Sequence, residues 1–323
     1  MADASGIVAG MGMTVERLTK TFQVGRRSHR RTIEAVRGIS FAIERGERVA
    51  YIGPNGAGKS TSIKILTGIL HPTGGQATVL GIVPWQQRRV LAARIGALFG
   101  QRSMLWIELT PRQSLHMLAA IYDLDRNRER RRIGDLASLL GATDLLDTPV
   151  RNLSLGQRMR CELAACMLHE PEVLFLDEPT IGLDLLAKQL FRELLVHLNA
   201  EHDTTIFLTS HDVADIEHVA KRAIVINHGE VIYDDSVATM RRTLLSTKVI
   251  EVGLIAPMAA LDAPGVTTHA HTDRGMKLVV DTAVTSIREV LDALLDGPAL
   301  GDITVVDPPL EDVIASIYTR PRP

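Results

Sequence analysis

The octapeptide Gly53-Pro54-Asn55-Gly56-Ala57-Gly58-Lys59-Ser60 matches the phosphate-binding pattern of glycine, four residues and Gly-Lys-Ser. A turn and a short apolar strand, Gly46 to Ile52, precede it, and Lys59 to Leu70 has the apolar spacing of a helix. Glycines allow backbone N–H groups to curl around phosphate oxygens, and a helix start adds positive partial charge. This context predicts that Lys59 reaches the β- and γ-phosphates of a nucleotide and that Ser60 coordinates Mg²⁺.

The surrounding region, from Thr14 to Asp235, alternates strand-like and helix-like segments. Runs that are apolar on both faces, such as Val173 to Leu176 and Thr205 to Leu208, are typical of parallel strands covered by helices. The stretch from Pro111 to Leu153 differs, because it has long helical patterns and few strand signals. We therefore predict an α/β core that contains a helical subdomain, at about 102–170.

Two adjacent carboxylates, Asp177 and Glu178, follow one of the apolar runs. Neighbouring side chains at the end of a strand point in different directions, so the two carboxylates can have different tasks. We expect Asp177 to hold the metal and Glu178 to polarise the attacking water. The alternative is a solvated acidic pair in the turn that Pro179 favours. The nearby phosphate-binding pattern makes the catalytic interpretation the preferred one.

Composition limits the classes of protein that the chain can represent. Its 323 residues are 46% hydrophobic and 23% charged, close to the average for soluble globular proteins. A formal net charge of −2 and an aromatic content of 4% argue against a globally basic nucleic-acid binder and against an extended base-stacking surface. No uncharged apolar run reaches the roughly 18–20 residues that span a bilayer. We expect no nucleic-acid partner and no membrane span.

The chain termini and the two cysteines support a cytoplasmic protein with an accessory domain. Residues 1–13 lack a basic segment and are expected to form a flexible tail rather than a signal peptide. Cys161 and Cys166 lie five apart on a predicted helix, beyond comfortable disulfide geometry, so we expect both to be reduced and buried. Residues 236–323 have a different pattern of apolar segments, which predicts a small α+β domain. Its expected elements are strands at Val249–Leu254, Met276–Val280 and Ile303–Val306, a helix capped by Thr285 and running to Leu295, and a closing helix at Leu310–Tyr318.

The hexapeptide Leu153-Ser154-Leu155-Gly156-Gln157-Arg158 distinguishes between families of phosphate-binding proteins. Ser154 can cap the helix that follows, and it stands 95 residues after Lys59 and 23 before Asp177. At this place it resembles the signature motif of ATP-binding cassette (ABC) ATPases, usually Leu-Ser-Gly-Gly-Gln. Leu155 replaces the first glycine of that motif, whereas Ser154 and Gly156 are kept.

The resemblance covers about 14–235 and implies roles for further residues. Phe22 resembles the aromatic residue that stacks on adenine, although the family more often has tyrosine. Gln101 resembles the glutamine that contacts Mg²⁺ and senses the partner. Asp184, in Gly182-Leu183-Asp184, resembles the loop that crosses the dimer interface, and His211 resembles the switch histidine on the γ-phosphate.

The resemblance thus implies four sets of site residues. The ATP-binding residues are Phe22, Gly53, Pro54, Asn55, Gly56, Ala57, Gly58, Lys59, Ser60 and Thr61. The catalytic residues are Glu178, His211 and Gln101, and the Mg²⁺ ligands are Ser60, Gln101 and Asp177. The residues that act on the ATP of a second subunit are Ser154, Gly156 and Gln157.

The fold that the resemblance implies is a P-loop (RecA-like) ABC ATPase core with an antiparallel β subdomain and a helical subdomain. One phosphate loop and one signature motif per chain imply pairing with a second copy or a paralogue. We expect an ATP-hydrolysing subunit that powers a separate membrane permease and lies on the inner face of the cell membrane. The whole-chain pattern resembles the ATPase subunits of bacterial ABC-2 type exporters, and the short tail after Asp235 supports this resemblance. The alternatives are an importer subunit and a non-transport ABC ATPase.

Three surface segments remain open to interpretation. The apolar residues Leu105, Trp106 and Ile107 stand in an expected exposed loop and are candidates for contact with the permease, unless they pack under the helical subdomain. Two arginine-rich runs, Arg26–Arg31 and Arg126–Arg132, are expected on solvated surface. The first could instead contact anionic lipid headgroups.

Overall fold

The computed structural model describes residues 10–24, 31–99, 103–244, 247–256, 259, 261–295, 300–306 and 314. The chain divides into two compact units, one ending at Asp235 and the other beginning at Ser236. No helix among the described residues is long and apolar enough to cross a membrane.

The first unit contains a six-stranded sheet. In chain order its strands are β3 (Arg48–Ile52), β5 (Ile95–Phe99), β6 (Val173–Asp177), β7 (Thr205–Thr209), β8 (Arg222–Asn227) and β9 (Glu230–Ser236). Their spatial order is β5-β6-β7-β3-β8-β9, and the pairs from β5 to β8 are parallel. The carboxyl ends of β3, β6 and β7 therefore meet at one edge, which is where parallel sheets of this kind bind ligands.

A three-stranded antiparallel sheet completes the other side of this core. It consists of β1 (Met11–Val24), β2 (Arg31–Glu44) and β4 (Gly74–Val79) in the order β2-β1-β4. Helix α1 (Lys59–Leu66) and the short α2 (Arg88–Ala92) belong to the same region. Helix α1 ends four residues before the predicted Leu70, because Gly68 adopts a left-handed φ of 74°.

Three helices form the helical region predicted between the strands: α3 (Pro111–Ile121), α4 (Arg126–Leu139) and α5 (Leu155–Met167). Their apolar faces share a core with α6 (Leu185–His202) of the same unit. Cys161 and Cys166 are buried in this core, as predicted, and burial raises their thiol pKa values to about 11 and about 12. The unit also contains α7 (Val213–Val219).

The apolar run after Ser103 divides its side chains between core and solvent. Leu105 is only 4% exposed and packs in the helical core, so for this residue the alternative of packing under the helical subdomain holds and the exposed permease contact does not. Trp106 and Ile107 are 38% and 54% exposed. The second arginine-rich run opens α4 and Arg128 and Arg132 pair there with Glu170.

The second unit begins with α8 (Val237–Leu244), which is followed by an antiparallel sheet. Its strands are β10 (Thr247–Leu254), β11 (Val266–Thr272), β12 (Gly275–Asp281) and β13 (Leu300–Val306), in the order β11-β12-β10-β13. Helix α9 (Ile287–Leu295) connects β12 to β13, and β10 lies between these two strands, which gives a split β-α-β arrangement. Core residues of the sheet pack on Val290 and Leu294.

Two expectations for this unit need comment. Ser286, not Thr285, makes the reciprocal hydrogen bonds with Glu289 that begin α9, whereas the Thr285 hydroxyl donates to the Pro264 carbonyl. The predicted closing helix at Leu310–Tyr318 lies outside the described residues, apart from the helical Ile314.

Candidate functional site

The glycine-rich loop between β3 and α1 depends on glycines at two points of close backbone approach. A Cβ on Gly53 would lie 2.3 Å from the Ile226 carbonyl oxygen, and one on Gly58 would lie 2.4 Å from that of Ala35. Gly58 also has a φ of 110° as it caps α1. Other residues would therefore shift neighbouring backbone, so the glycine spacing has a steric cause as well as a chemical one.

Lys59 is the buried cation of this loop, with only 7% of its surface exposed. Its Nζ donates to the carbonyl oxygen of Gly53 and lies 3.3 Å from His211 Nε2. Burial lowers the pKa of Lys59, and the nearby carboxylates of Glu178 and Asp177 oppose that shift. The ammonium group is thus held at the base of the loop, among carboxylates.

Asp177 ends β6 beside the end of β7, where the register pairs it with Thr209. The Thr209 hydroxyl donates to Asp177 Oδ1 over 2.7 Å, and both the hydroxyl and the carbonyl oxygen of Thr209 lie 3.1 Å from the Glu178 amide nitrogen that donates to them. Thr209 is completely buried. This one threonine therefore orients the first carboxylate and anchors the backbone of the second.

Glu178 has two properties that are unusual for a glutamate. Its φ of 54° is a left-handed conformation, which is costly for a residue with a Cβ and recurs at functional sites. Its Oε1 atom is buried and has no hydrogen-bond partner among the described residues, although His211 Nε2 lies 3.3 Å away. Burial raises the pKa of Glu178, against the opposing charges of His211 and Lys59.

These side chains face one open cavity of about 390 Å³. Its lining combines the phosphate loop, α1 and the ends of the parallel strands. The residues that line it are Asn55, Lys59, Ser60, Lys64, Ile69, Phe99, Asp177, Glu178, Ile181 and His211. Basic groups, a hydroxyl and two carboxylates thus surround a volume large enough for a phosphate chain.

The signature residues lie at a second cavity, of about 440 Å³, bounded by α4, α5 and α6. Ser154 begins α5, and its hydroxyl accepts from the Gln157 amide while the Gln157 side chain accepts from the Ser154 amide. Asp184 begins α6 in a similar way, accepting from the Ala187 amide at 2.8 Å. Neither Ser154 nor Gly156 lines the first cavity, so the fold separates the two halves of the predicted site within one chain.

The leucine that replaces the first signature glycine packs within its own chain. A Cβ on Gly182 would lie 2.7 Å from Leu155 Cδ2, and Gly182 has a φ of 77°. Gly182 therefore leaves space for the Leu155 side chain. Gly156 stays open, since its nearest foreign atom would be 3.4 Å from an added Cβ.

Not every sequence-predicted site residue can be placed at the first cavity. Phe22 lies on β1 opposite Ile33 and does not line the cavity; Lys20 Nζ is 5.1 Å from its ring centroid. Thr61 is part of α1 but is not among the cavity-lining residues. Gln101 lies outside the described residues, as do Arg26 to Arg30 of the first arginine-rich run.

Sequence reasoning missed Thr209, although a signal was available. The apolar run from Thr205 ends in Thr-Ser immediately before His211, and polar residues at the end of a buried strand often face a site. Only the pairing of β6 with β7 shows that Thr209 reaches both Asp177 and Glu178.

Comparisons with known proteins agree with this geometry. The profile of the ABC transporter family matches residues 36–181. The chain is 35% identical over 204 residues to the ABC transporter ATP-binding protein NatA of Bacillus subtilis, which covers 63% of this chain and 82% of that protein. It is 34% identical over 287 residues to the daunorubicin resistance ATP-binding protein DrrA2 of Streptomyces coeruleorubidus, covering 86% of this chain and 88% of that one.

A solved structure shows the same fold. The ATP-binding cassette MJ0796, in a dimeric post-hydrolysis state bound to ADP and Pi, is 25% identical, with a TM-score of 0.62. The similarity covers 70% of this chain and 98% of that one. The predicted α/β cassette fold is therefore confirmed.

Proposed function

This chain belongs to the family of ABC transporter ATP-binding proteins, and we propose that it binds and hydrolyses ATP to drive export through a separate membrane permease. The observation that carries the proposal is the convergence of Lys59, Ser60, Asp177, Glu178 and His211 on one cavity. Each of these side chains supplies a function that phosphoryl transfer needs: positive charge, metal ligation and activation of water.

The phosphate loop would bind the triphosphate. The N–H groups at the start of α1 offer donors with positive partial charge, and Lys59 supplies a full charge at the base of the loop. When phosphate oxygens enter, Lys59 Nζ would exchange its contact with the Gly53 carbonyl for a stronger, charge-assisted one. The Phe22 ring, on β1, is our proposed adenine contact.

The donor set at the cavity suits Mg²⁺, a hard cation that prefers oxygen ligands. The Ser60 hydroxyl and the Asp177 carboxylate both line the cavity, and Thr209 occupies only one oxygen of Asp177. We propose these two residues as ligands, together with Gln101 by resemblance. Bound Mg²⁺ would neutralise charge that develops on the phosphate oxygens.

Glu178 is the proposed general base for the attacking water. Its buried Oε1, which has no hydrogen-bond partner among the described residues, can accept a proton, and its raised pKa makes it a stronger base than an exposed glutamate. His211, whose backbone N–H donates to Glu178 Oε2 over 3.2 Å, would place its ring beside the terminal phosphate. Substitution of either residue should lower the rate of hydrolysis more than ATP affinity.

Two copies, or one copy and a paralogue, would complete the site. The phosphate loop and Ser154 line different cavities of one chain, so a single chain presents half of each site. A head-to-tail pair with two-fold symmetry would place Ser154 and Gly156 of each subunit against the ATP of the other. The MJ0796 cassette, which is dimeric in its post-hydrolysis state with ADP and Pi, supports the pairing of two subunits.

Export is the direction that we propose. The similarity to the daunorubicin resistance protein DrrA2 extends over 287 residues, more than the first unit contains, so it includes part of the second unit as well. Resistance to a drug is consistent with its removal from the cell. The membrane permease would choose the substrate.

The test of ATP use is Lys59→Ala in the purified full chain, with the exposed Lys221→Ala as control. We expect Lys59→Ala to lose binding of a fluorescent ATP analogue and ATP hydrolysis, while its circular dichroism spectrum stays that of the wild type. Lys221→Ala should keep both activities. Wild-type affinity in Lys59→Ala would refute the proposed nucleotide site.

A further inference from the structure

A buried carboxylate outside the cavity connects the segments that carry Glu178 and His211. Asp215, in the first turn of α7, is 1% exposed. Its Oδ2 accepts from the hydroxyls of Thr180 and Ser210, the latter at 2.6 Å. Thr180 stands two residues after Glu178, and Ser210 stands immediately before His211. One carboxylate oxygen therefore joins the two loops.

The contacts of Asp215 with Thr180 and Ser210 lie beyond the last paired residues of β6 and β7, where strand pairing no longer fixes the backbone. The parallel ladder between β6 and β7 ends with the pairing of Asp177 and Thr209. Beyond that pair, the distance between Glu178 and His211 depends on loop conformation. The left-handed φ of Glu178 is costly and persists only where the surroundings enforce it. Thr209 anchors the Glu178 amide, and Asp215 anchors the chain two residues later.

A buried cation compensates the charge of Asp215. Arg192, on α6 and 8% exposed, donates from Nε to Asp215 Oδ1 over 2.6 Å and lies within 3.1 Å of Asp212 Oδ1. Lys188 Nζ pairs with the other oxygen of Asp212 at 2.6 Å. A buried carboxylate with this many donors is rigid, since each lost partner would leave an unpaired polar group.

We propose that Asp215 is a positioning residue for hydrolysis, which sets the separation of Glu178 and His211 through Thr180 and Ser210. Asp215 does not line the cavity. Its effect would therefore be indirect: it would align the base, Glu178, with the terminal phosphate. Misplacement of catalytic groups by about 1 Å can cost about a hundredfold in rate. This inference rests on the proposed function for its kinetic consequence.

Thr180 offers a precise test, because its hydroxyl can be removed without changing the shape of the side chain. Thr180→Val deletes the donor to Asp215, and Thr180→Ser retains it. The matched control is Thr205→Val, at the opposite end of β7, where the Thr205 hydroxyl accepts from the Gly46 amide at 3.0 Å and the residue is also buried. We expect Thr180→Val to lower kcat for ATP by about tenfold to a hundredfold.

The control and the rescue separate positioning from loss of stability. Affinity for the ATP analogue and the melting temperature should change no more in Thr180→Val than in Thr205→Val, and Thr180→Ser should restore kcat. In an Asp215→Asn background, which disturbs the shared acceptor, Thr180→Val should have little further effect. A kcat for Thr180→Val within twofold of Thr205→Val would overturn the proposal, as would a full additional loss in the Asp215→Asn background.

A second readout does not depend on hydrolysis. The ring resonance of His211, assigned by its disappearance in His211→Gln, should shift in Thr180→Val and not in Thr205→Val, because the Glu178 carboxylate moves relative to the ring. An unchanged resonance would contradict the proposed link. A wild-type chain without ATPase activity would refute the proposed function, and the resonance would still decide the role of Asp215.

Discussion

Glu178 is held in a conformation and an environment that are both unfavourable for a glutamate. Its burial and left-handed backbone are both unfavourable, and its Oε1 finds no hydrogen bond among the described residues. Two contacts hold the backbone in this conformation: Thr209 accepts from the Glu178 amide, and Asp215 accepts from the Thr180 hydroxyl two residues later. Such local strain is common where a side chain must be available for reaction.

The raised pKa of Glu178 predicts the effect of Glu178→Gln on stability. A raised pKa means that the folded state binds the proton more tightly, so the stabilising contribution is present at low pH and declines as the pH rises from the ordinary value of 4.5 through the folded value. We therefore expect nucleotide-free Glu178→Gln to melt above the wild type near neutral pH. The difference should vanish towards about pH 4.

Differential scanning calorimetry across this range measures the effect, and the exposed Glu193→Gln is the control. Equal melting temperatures of wild type and Glu178→Gln near neutral pH would contradict the assigned burial penalty.

At the scale of an element, the loop from Ser103 to Ile107 is held by backbone and carboxylate contacts, while the side chains of Trp106 and Ile107 stay exposed. The buried Glu162 accepts from the Met104 amide at 2.7 Å and from the Ser103 hydroxyl, and Leu105 packs in the helical core. The Arg151 amide donates to the Ile107 carbonyl at 3.1 Å. Trp106 and Ile107 are thus displayed by a segment whose conformation does not depend on their side chains.

We propose this segment as the contact with the permease, and Trp106→Ala tests it. Loss of the exposed ring should leave basal ATP hydrolysis of the isolated subunit nearly intact and weaken co-purification with the permease. Val90→Ala, which alters an apolar residue of α2 that is 53% exposed, should affect neither. Unchanged co-purification of Trp106→Ala would count against this contact.

Across the whole molecule, two separate cavities hold the two halves of the proposed nucleotide site, which leads to a prediction about assembly. Glu178→Gln keeps the hydrogen-bonding shape, cannot accept the proton and removes a negative charge beside the terminal phosphate. Hydrolysis should fall by roughly 10²–10⁴. With Mg-ATP the variant should shift from monomer to dimer on size exclusion, because the two ATP molecules remain bound between the subunits.

Adding Ser154→Arg should reverse that shift, because a long cation would occupy the space for the partner's phosphates. Thr110→Arg controls for the lost helix cap, since Thr110 and Gln113 form the same reciprocal capping arrangement at the start of α3. A Glu178→Gln protein that hydrolyses ATP normally would refute the mechanism. One that is inactive and stays monomeric at every concentration would point to a paralogous partner.

The sequence by itself determined the features that depend on neighbours along the chain. The glycine spacing around Lys59, the apolar run before Asp177 and the Ser154 cap of α5 follow from local steric and hydrogen-bonding rules, which act over a few residues. The family could be recognised from the order of such motifs. Helix ends were less certain, as the shorter α1 shows, because a single left-handed residue such as Gly68 decides them.

Only the tertiary structure decided which groups meet across long stretches of chain. Thr209 reaches Asp177 across 32 residues, and Asp215 reaches Thr180 across 35, because adjacent parallel strands end at one edge of the sheet. Packing also buried Leu105 and exposed Trp106. Three consecutive apolar residues have no polar alternation, so the sequence could not show which of them faces the core. Both outcomes depend on contacts between segments that are distant in sequence, and these contacts exist only once the sheet and helices have assembled.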